Sequence, residues 1–277
     1  MIVIEPTRAA ALTLAQQQNN PFVAWDNIAA TATLSGSTPA VDGAFANAVA
    51  GTTYDFYTPA TGAGSIEFRA KFSSARAITF AGIAAHNLGE HGLTARVQYS
   101  TNNGATWTDG GAGFVNPTDD SPIAWRMNGD NSADFWRILI FGGSVSKVPS
   151  IGVVFFGDEL VMPDRFYQGF TPAISPTEVA LQSNVSIGNH LLGSSVVFQG
   201  STLAAEFTLV PPAFVRGDFA PFQIAFNRGQ PLFFAWRPET YEDDLHYCWR
   251  DGAVIRPDNG GPKAYMSFTL QMRAHDG

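Results

Sequence analysis

Apolar and polar residues alternate along several short stretches of the chain. A period of two is typical of strands that bury one face and expose the other. The pattern is clearest in SIEFRAKF (65–72) and TARVQYS (94–100). Short apolar runs predict three further strands, at 77–85, 135–142 and 150–157.

A turn signal separates two of the predicted strands. STNNGATW (100–107) contains Asn103-Gly104, a dipeptide typical of β-hairpin turns. Gly-rich turns and the near absence of helical periodicity predict a β-sandwich or jelly roll over about residues 20–160.

The pattern changes at 157–178, where three closely spaced prolines indicate a linker or an extended arm. Strand patterns return at 178–187 and 194–210, and residues 211–229 are expected to be partly helical, with Pro at the start and Gly229 at the end. Three more strand patterns follow, and the last alternates Met266, Phe268 and Leu270 with polar residues. The sequence therefore predicts an all-β fold of two domains, residues 1–160 and residues 161–277, the second being a β-sandwich with one flanking helix.

Composition narrows the function classes. Charged residues make up 14% of the chain, where about 25% is usual, and the formal net charge is −8. Without a basic run, no nucleic-acid partner is expected. No apolar stretch is long enough to span a membrane, and Glu5, Pro6 and Arg8 interrupt the N-terminal apolar run, so no signal peptide is expected. The single cysteine, Cys248, excludes an internal disulfide and a Cys-based zinc site.

IAAHNLGEHG (83–92) places His86, Glu90 and His91 within six positions. The two histidines are five residues apart, whereas the helical zinc motif of metalloproteases requires four, and Asn87 and Gly89 are expected to break helicity. A polar turn with a buried or capping histidine is favoured, and a metal site is the alternative.

Other candidate chemistry has simpler explanations. Asp119 and Asp120 would point to opposite faces of a strand, which makes them a poor acid–base pair. The acidic stretch ETYEDD (239–244) lacks the spacing of an EF-hand, so a solvated loop is favoured over Ca²⁺ binding. Four tryptophans could form a sugar platform or belong to the core: Trp25, Trp107, Trp125 and Trp136. No catalytic residue, metal site or cofactor is therefore expected, and the protein is not expected to be an enzyme.

Two resemblances add to this picture. The run from ITFAGIAAHNLGEHGLTARVQYSTNNGATWT through DFWRILIFGG to IGVVFFGDELVMP resembles a galactose-binding-like, discoidin-type jelly roll. The second half, above all the runs from Phe233 to Pro238 and from Tyr247 to Trp249, resembles tail-tip or baseplate proteins of long-tailed bacteriophages, such as distal tail proteins. Their ring-forming domains have the tail-tube fold, a β-sandwich with one flanking helix.

The phage resemblance implies a virion protein that is made in the bacterial cytoplasm, assembles into a ring as a hexamer or trimer, and contacts the tail tube and other baseplate proteins. Long strands at 194–210 and 264–275 are expected to offer the edge that pairs with a neighbouring subunit. A carbohydrate-binding module that attaches to a host surface glycan is the alternative, and a glycoside hydrolase is less favoured. His86, Asn87 and Trp107 are the candidate contacts for a ligand or partner.

Overall fold

The structure is a computed structural model that describes residues 1–111, 113–164, 170–173, 178–259 and 264–275. Strands dominate these residues, as predicted. They are β1 (Ile2–Ile4), β2 (Phe22–Ala24), β3 (Thr33–Gly36), β4 (Gly64–Arg76), β5 (Phe80–His86), β6 (Thr94–Ser100), β7 (Thr108–Asp109), β8 (Ile123–Arg126), β9 (Ala133–Gly143), β10 (Ile151–Gly157), β11 (Leu160–Val161), β12 (Glu178–Val185), β13 (Leu191–Val210), β14 (Leu232–Ala235), β15 (Leu245–Arg250) and β16 (Met266–Ala274). The α-helices are α1 (Pro6–Leu14), α2 (Leu88–His91), α3 (Pro212–Arg216) and α4 (Phe219–Asn227), and 3₁₀ turns lie at Ile28–Thr31 and Asn47–Val49.

Two sheets form the predicted jelly roll. One sheet has five strands in the order β3-β4-β9-β6-β7, and the other has four in the order β1-β8-β5-β10. Their facing surfaces enclose one apolar core, whose largest members include Phe68, Trp125, Trp136 and Phe156. Alternation on β4 explains this packing, because Ile66, Phe68 and Ala70 are buried while the intervening residues are half-exposed.

The four-stranded sheet is buried on both faces. Every residue of β5 and β10 is buried, which explains why these segments are continuous apolar runs rather than alternating ones. Phe80 and Phe155 pack away from the jelly-roll core and against Phe233 of the third sheet, with ring centroids 5.4 and 5.7 Å from that ring. The molecule therefore stacks three sheets.

The third sheet has seven strands in the order β11-β2-β14-β15-β16-β13-β12. The helical segment covers the other face of this sheet. Phe219, Phe222 and Phe226 of α4 are buried there. The predicted helix over 211–229 forms two short helices, because the chain leaves the helical conformation at Gly217 (φ −100°, ψ −99°). Gly229 follows α4 with a φ of 85°, a left-handed conformation suited to glycine at a helix end.

The boundary at residue 160 stays a prediction. Residues from both sides of it share the third sheet, because Val23 of β2 pairs with Leu160 of β11 and with Phe234 of β14. The predicted linker over 157–178 thus includes one short strand of this sheet, and residues 165–169 and 174–177 of that segment lie outside the described residues.

A buried ion cluster lies between the second and third sheets. Arg126 donates two hydrogen bonds to Glu159, at 2.5 and 3.0 Å, and both side chains are fully buried. Arg8 of α1 also donates to this carboxylate, at 3.0 Å from its Nε. The Arg126 guanidinium lies 4.6 Å from the centroid of the Phe22 ring on β2, so this cluster ties the N-terminal segment and both sheets together.

One edge of the third sheet extends into a two-stranded ribbon, residues 178–200. Here β12 pairs with the first half of β13, from Glu178–Gly200 to Val185–Leu191. Every residue of β12 is exposed, and Leu181 is 63% exposed. The prediction that the strands at 194–210 and 264–275 offer an edge is wrong, because β13 lies between β12 and β16, and β16 lies between β13 and β15. The edge strand on this side of the sheet is β12.

Candidate functional site

His86, the first candidate residue, holds a turn together. It ends β5 with 5% exposure. Its Nδ1 accepts a hydrogen bond from the Leu88 backbone N–H at 3.3 Å, so Nε2 carries the proton and donates to the Ser121 carbonyl at 2.9 Å. Burial lowers the pKa of His86 to about 4, against the opposing effect of Asp120. His86 is thus a neutral, buried histidine whose two ring nitrogens both form hydrogen bonds. This arrangement is the polar turn with a buried histidine that the sequence favoured over a metal site.

The segment after His86 corrects two expectations. Asn87 and Gly89 were expected to break helicity, but Leu88–His91 forms one helical turn because Asp120 Oδ1 accepts the backbone N–H groups of Gly89 and Glu90, at 2.9 and 3.1 Å. Asp119 and Asp120 lie in a bend rather than a strand. A Cβ on Gly89 would come within 2.1 Å of the Asp119 carbonyl oxygen, so only glycine allows this close packing.

Asn87, the second candidate, joins two segments of backbone. Its side-chain amide donates to the Val148 carbonyl at 3.1 Å, and its side-chain oxygen accepts the Ser150 N–H at 2.7 Å. These bonds fix the start of β10 against the turn. Within the described residues, no group of three or more His, Cys, Asp and Glu side chains is arranged to hold a metal ion.

Trp107, the third candidate, lies at the other end of β6 from the His86 turn. The three candidates therefore do not share one site. The Trp107 indole stacks on Phe135, with centroids 5.3 Å apart, and lies 4.1 Å from the Arg137 guanidinium carbon. Phe135 and Arg137 project from the same face of β9, so both contact the indole from the sheet side. The Trp107 side chain is half-buried.

Trp107 covers part of a charged surface on the outer side of the five-stranded sheet. We call this surface the Trp107 face; it comprises Glu67, Arg69, Lys71, Arg96, Gln98, Trp107, Asp109 and Arg137. Its central row crosses four strands, because Arg69 lies opposite Arg137, Arg137 opposite Gln98, and Gln98 opposite Asp109.

Hydrogen bonds connect the row. Glu67 accepts from Arg69 and, at 2.7 Å, from Arg137. Gln98 Oε1 accepts twice from Arg137, at 2.9 and 2.5 Å, and the Gln98 amide donates to Asp109 at 2.8 Å. Burial lowers the pKa of Arg137, and the nearby cations lower it further while Glu67 opposes them. The face is thus a connected array of side chains with fixed positions.

Arg96 and Lys71 flank the central row. The Arg96 guanidinium carbon lies 4.4 Å from the Phe114 ring centroid and 5.4 Å from that of Phe141, and Arg96 forms an ion pair with Asp109 at 3.2 Å. Lys71 donates to the Asn103 side chain at 2.5 Å. Each of the four cations of the face therefore lies near an aromatic ring.

The sequence did not reveal this face. The alternation in β4, β6 and β9 predicted only that each strand has one solvent-exposed face. The central row forms through pairing between residues 68, 39 and 11 positions apart. The tryptophans divide between roles: Trp125 and Trp136 are fully buried core residues, and Trp25 packs on Phe222, with ring centroids 6.3 Å apart.

The acidic stretch 239–244 has structural contacts. Asp244 accepts a hydrogen bond from the Trp236 indole at 2.7 Å. Asn19 accepts the backbone N–H groups of Glu239 and Thr240, at 3.2 and 3.1 Å. These contacts fit a loop that is fastened to the body of the protein. None of the helices in the described part of the chain is long and apolar enough to cross a membrane.

Comparisons with known proteins concern about half of the chain. No protein-family model matches it, and no curated protein sequence matches it. Among solved structures, it is similar to a GH29 fucosidase of Ruminococcus gnavus in complex with fucose, with a TM-score of 0.41 and 17% identity over 49% of this chain and 27% of that one. The matched part thus spans about a quarter of the fucosidase.

Two similar structures are single modules. A chitosan-binding module from a Paenibacillus chitosanase/glucanase gives a TM-score of 0.38 and 13% identity over 47% of this chain and 98% of that one. An F5/8 type C domain from Bacteroides fragilis gives a TM-score of 0.38 and 10% identity over 48% of this chain and 95% of that one. These neighbours are discoidin-like and carbohydrate-binding jelly rolls.

Proposed function

We propose that the protein is a non-catalytic binding protein whose jelly roll binds a glycan on the Trp107 face. The observation that carries this proposal is the placement of Trp107: its indole contacts Phe135 and Arg137 of the sheet and stays half-exposed. A planar apolar ring beside polar groups in fixed positions is a suitable surface for a sugar, which has one apolar side and a rim of hydroxyl groups.

The surrounding side chains supply the polar half of such a site. Arg69 has a side chain that is 35% exposed, and Asp109 one that is 45% exposed. Donors and acceptors therefore lie on either side of the indole and can orient hydroxyl groups. Because Arg137 and Gln98 hold the array from beneath, little ordering is needed when a ligand binds, which favours affinity.

The contacts of the carboxylates on the Trp107 face support a non-catalytic role. Glycoside hydrolysis needs one carboxyl group that is protonated and another that is free to act as nucleophile or base. On the Trp107 face, Glu67 and Asp109 are each held in an ion pair with arginine. Both carboxylates of the face are therefore engaged by the protein's own arginines, which favours binding over catalysis.

The test is a binding screen on a glycan array with the full-length chain. Trp107→Ala should abolish the strongest signals, because the stacking surface is removed. Tyr54→Ala, at a ring that is 77% exposed in a separate segment, is the matched control and should leave binding intact. Circular dichroism checks that both variants fold. Binding that survives Trp107→Ala would place the site elsewhere.

A structural subunit of a bacteriophage tail tip is the second candidate. The observation that favours it is the ribbon, whose exposed apolar side chains are typical of a surface that another protein covers. Such a subunit would assemble into a ring and contact the tail tube. A light-scattering mass that stays at 29.7 kDa at high protein concentration would oppose this function.

A further inference from the structure

The Trp107 face carries positive charge on an acidic protein. Four of the chain's 16 Lys and Arg residues belong to the Trp107 face, together with two carboxylates. The whole chain has a formal net charge of −8. A local excess of cations on such a protein points to an anionic ligand, because the protein as a whole repels one.

The strand register makes the excess of positive charge destabilising for the folded sheet. Arg69 lies directly opposite Arg137 on the neighbouring strand, and like charges in that position destabilise a sheet. Glu67 carries one negative charge and therefore neutralises only one of these two positive charges. A second carboxylate at this position would balance the pair and accept hydrogen bonds from the partly exposed guanidinium of Arg69.

The positions of the cations relative to Trp107 define the ligand further. The Arg69 guanidinium carbon lies 5.7 Å from the Trp107 ring centroid, and the Lys71 ammonium lies 5.9 Å from the ring of Phe135, on which Trp107 stacks. Both cations therefore lie beside the stacked pair of Trp107 and Phe135.

We propose that the ligand is a uronate-bearing polysaccharide, with the sugar ring stacked on Trp107 and its carboxylate bound by Arg69 and Lys71. This inference rests on the proposed glycan-binding function and names the class of glycan. The stacking selects a sugar, and the two cations select the acidic sugar over a neutral one.

The experiment measures binding of the full chain to three polymers by biolayer interferometry. The polymers are polygalacturonate, a neutral galactan, and polyphosphate, which has charge but no sugar ring. We expect polygalacturonate to bind best and to weaken as salt is raised from about 0.05 to about 0.5 M, because the contacts are partly exposed. Arg69→Gln and Lys71→Gln should each weaken it about tenfold, the value of one charge-assisted hydrogen bond.

Two controls separate the ligand contact from fold stability. Arg216→Gln makes the same change of charge on the exposed side of α3 and should leave binding unchanged. Arg69→Gln should not lower the melting temperature, because it removes one of two opposed cations. A melting temperature that falls together with binding would show that Arg69 is a structural residue and would overturn the inference.

The remaining outcomes are distinct. Galactan binding equal to or tighter than polygalacturonate binding would overturn the acidic ligand and leave the proposed function standing. Polyphosphate binding as tight as polygalacturonate binding would show that charge alone is recognised. No binding to either polysaccharide, and none on the glycan array, would overturn the inference and the proposed function together.

Discussion

Arg69 and Arg137 face each other across strands β4 and β9, and the carboxylate of Glu67 accepts hydrogen bonds from both. This bridge makes the opposed pair tolerable in the folded sheet. The position of Glu67 two residues before Arg69 on the same strand places both side chains on one face. Stability of the Trp107 face therefore depends on one carboxylate shared by two guanidinium groups.

Glu67→Gln should lower the free energy of unfolding by about 1–3 kcal/mol, because it leaves two opposed cations without their shared anion. Urea denaturation measures the change. The double variant Glu67→Gln/Arg69→Gln should recover part of the loss, since one of the two cations is then gone. A double variant less stable than Glu67→Gln would contradict the shared-carboxylate account.

His86 predicts a pH dependence of stability. Its pKa is lowered to about 4 in the folded protein, first by burial, and is about 6.5 in an unfolded chain. The unfolded state therefore takes up a proton as pH falls below about 6.5, while the folded state stays neutral until about pH 4. The stabilisation that comes from neutral His86 is fully present above pH 6.5. It should decrease progressively, by about 3 kcal/mol, as pH falls from 6.5 to 4.

His86→Gln separates this group from the carboxylates that also titrate in acid. The variant should be less stable at pH 7.5 because the hydrogen bonds to Leu88 and Ser121 change, but its melting temperature should fall less between pH 6.5 and pH 4.5 than that of the wild type. If the melting temperatures of the two proteins fell by the same amount across this pH range, the result would contradict a buried neutral histidine.

Local pattern predicted the strands well. The bounds predicted for β6, residues 94–100, agree with the structure, and the Asn103-Gly104 turn joins β6 to β7 as a hairpin, with Gln98 opposite Asp109. Asn103 and Gly104 have φ values of 57° and 83°, left-handed conformations that Asn and Gly adopt more readily than other residues. These features depend on neighbours in sequence, so the sequence contains their signal.

The site depended on contacts that sequence spacing does not encode. Asp120 stabilises the helical turn after His86 from 30 residues away, so Gly89 alone suggested a break. Arg137 meets Glu67 only because of the register of β4 against β9. Alternation predicts which side chains share a face, but only the register shows which of them touch.

Glu159→Gln should lower the free energy of unfolding by about 3–5 kcal/mol, because it leaves the buried Arg126 guanidinium without its counter-charge. Chemical denaturation measures the loss. Glu206→Gln makes the same change at an exposed position of β13 and should have little effect. Equal stability of the two variants would show that the ion cluster does not hold the second and third sheets together.

The ribbon leads to a prediction about assembly. From Val179 to Gly200 the sequence contains no Asp, Glu, Lys or Arg, although natural sheet edges are commonly protected by charge. Leu181 and Val196 lie opposite each other and are 63% and 56% exposed. A two-stranded hairpin is marginally stable on its own in water, so we expect a second copy of the chain to cover these side chains.

Leu181→Asp should therefore lower the light-scattering mass of the full chain at high concentration and leave its melting temperature within about 1 °C, since an exposed side chain contributes little to the fold. Thr269→Asp introduces the same charge at an exposed position of β16 and should leave the mass unchanged. Phe268→Asp is the unfolding control, because that ring is 5% exposed and stacks on Phe207 and Phe219. A wild-type mass of one chain at all concentrations, or a Leu181→Asp mass equal to a multimeric wild type, would exclude the ribbon as the contact between copies.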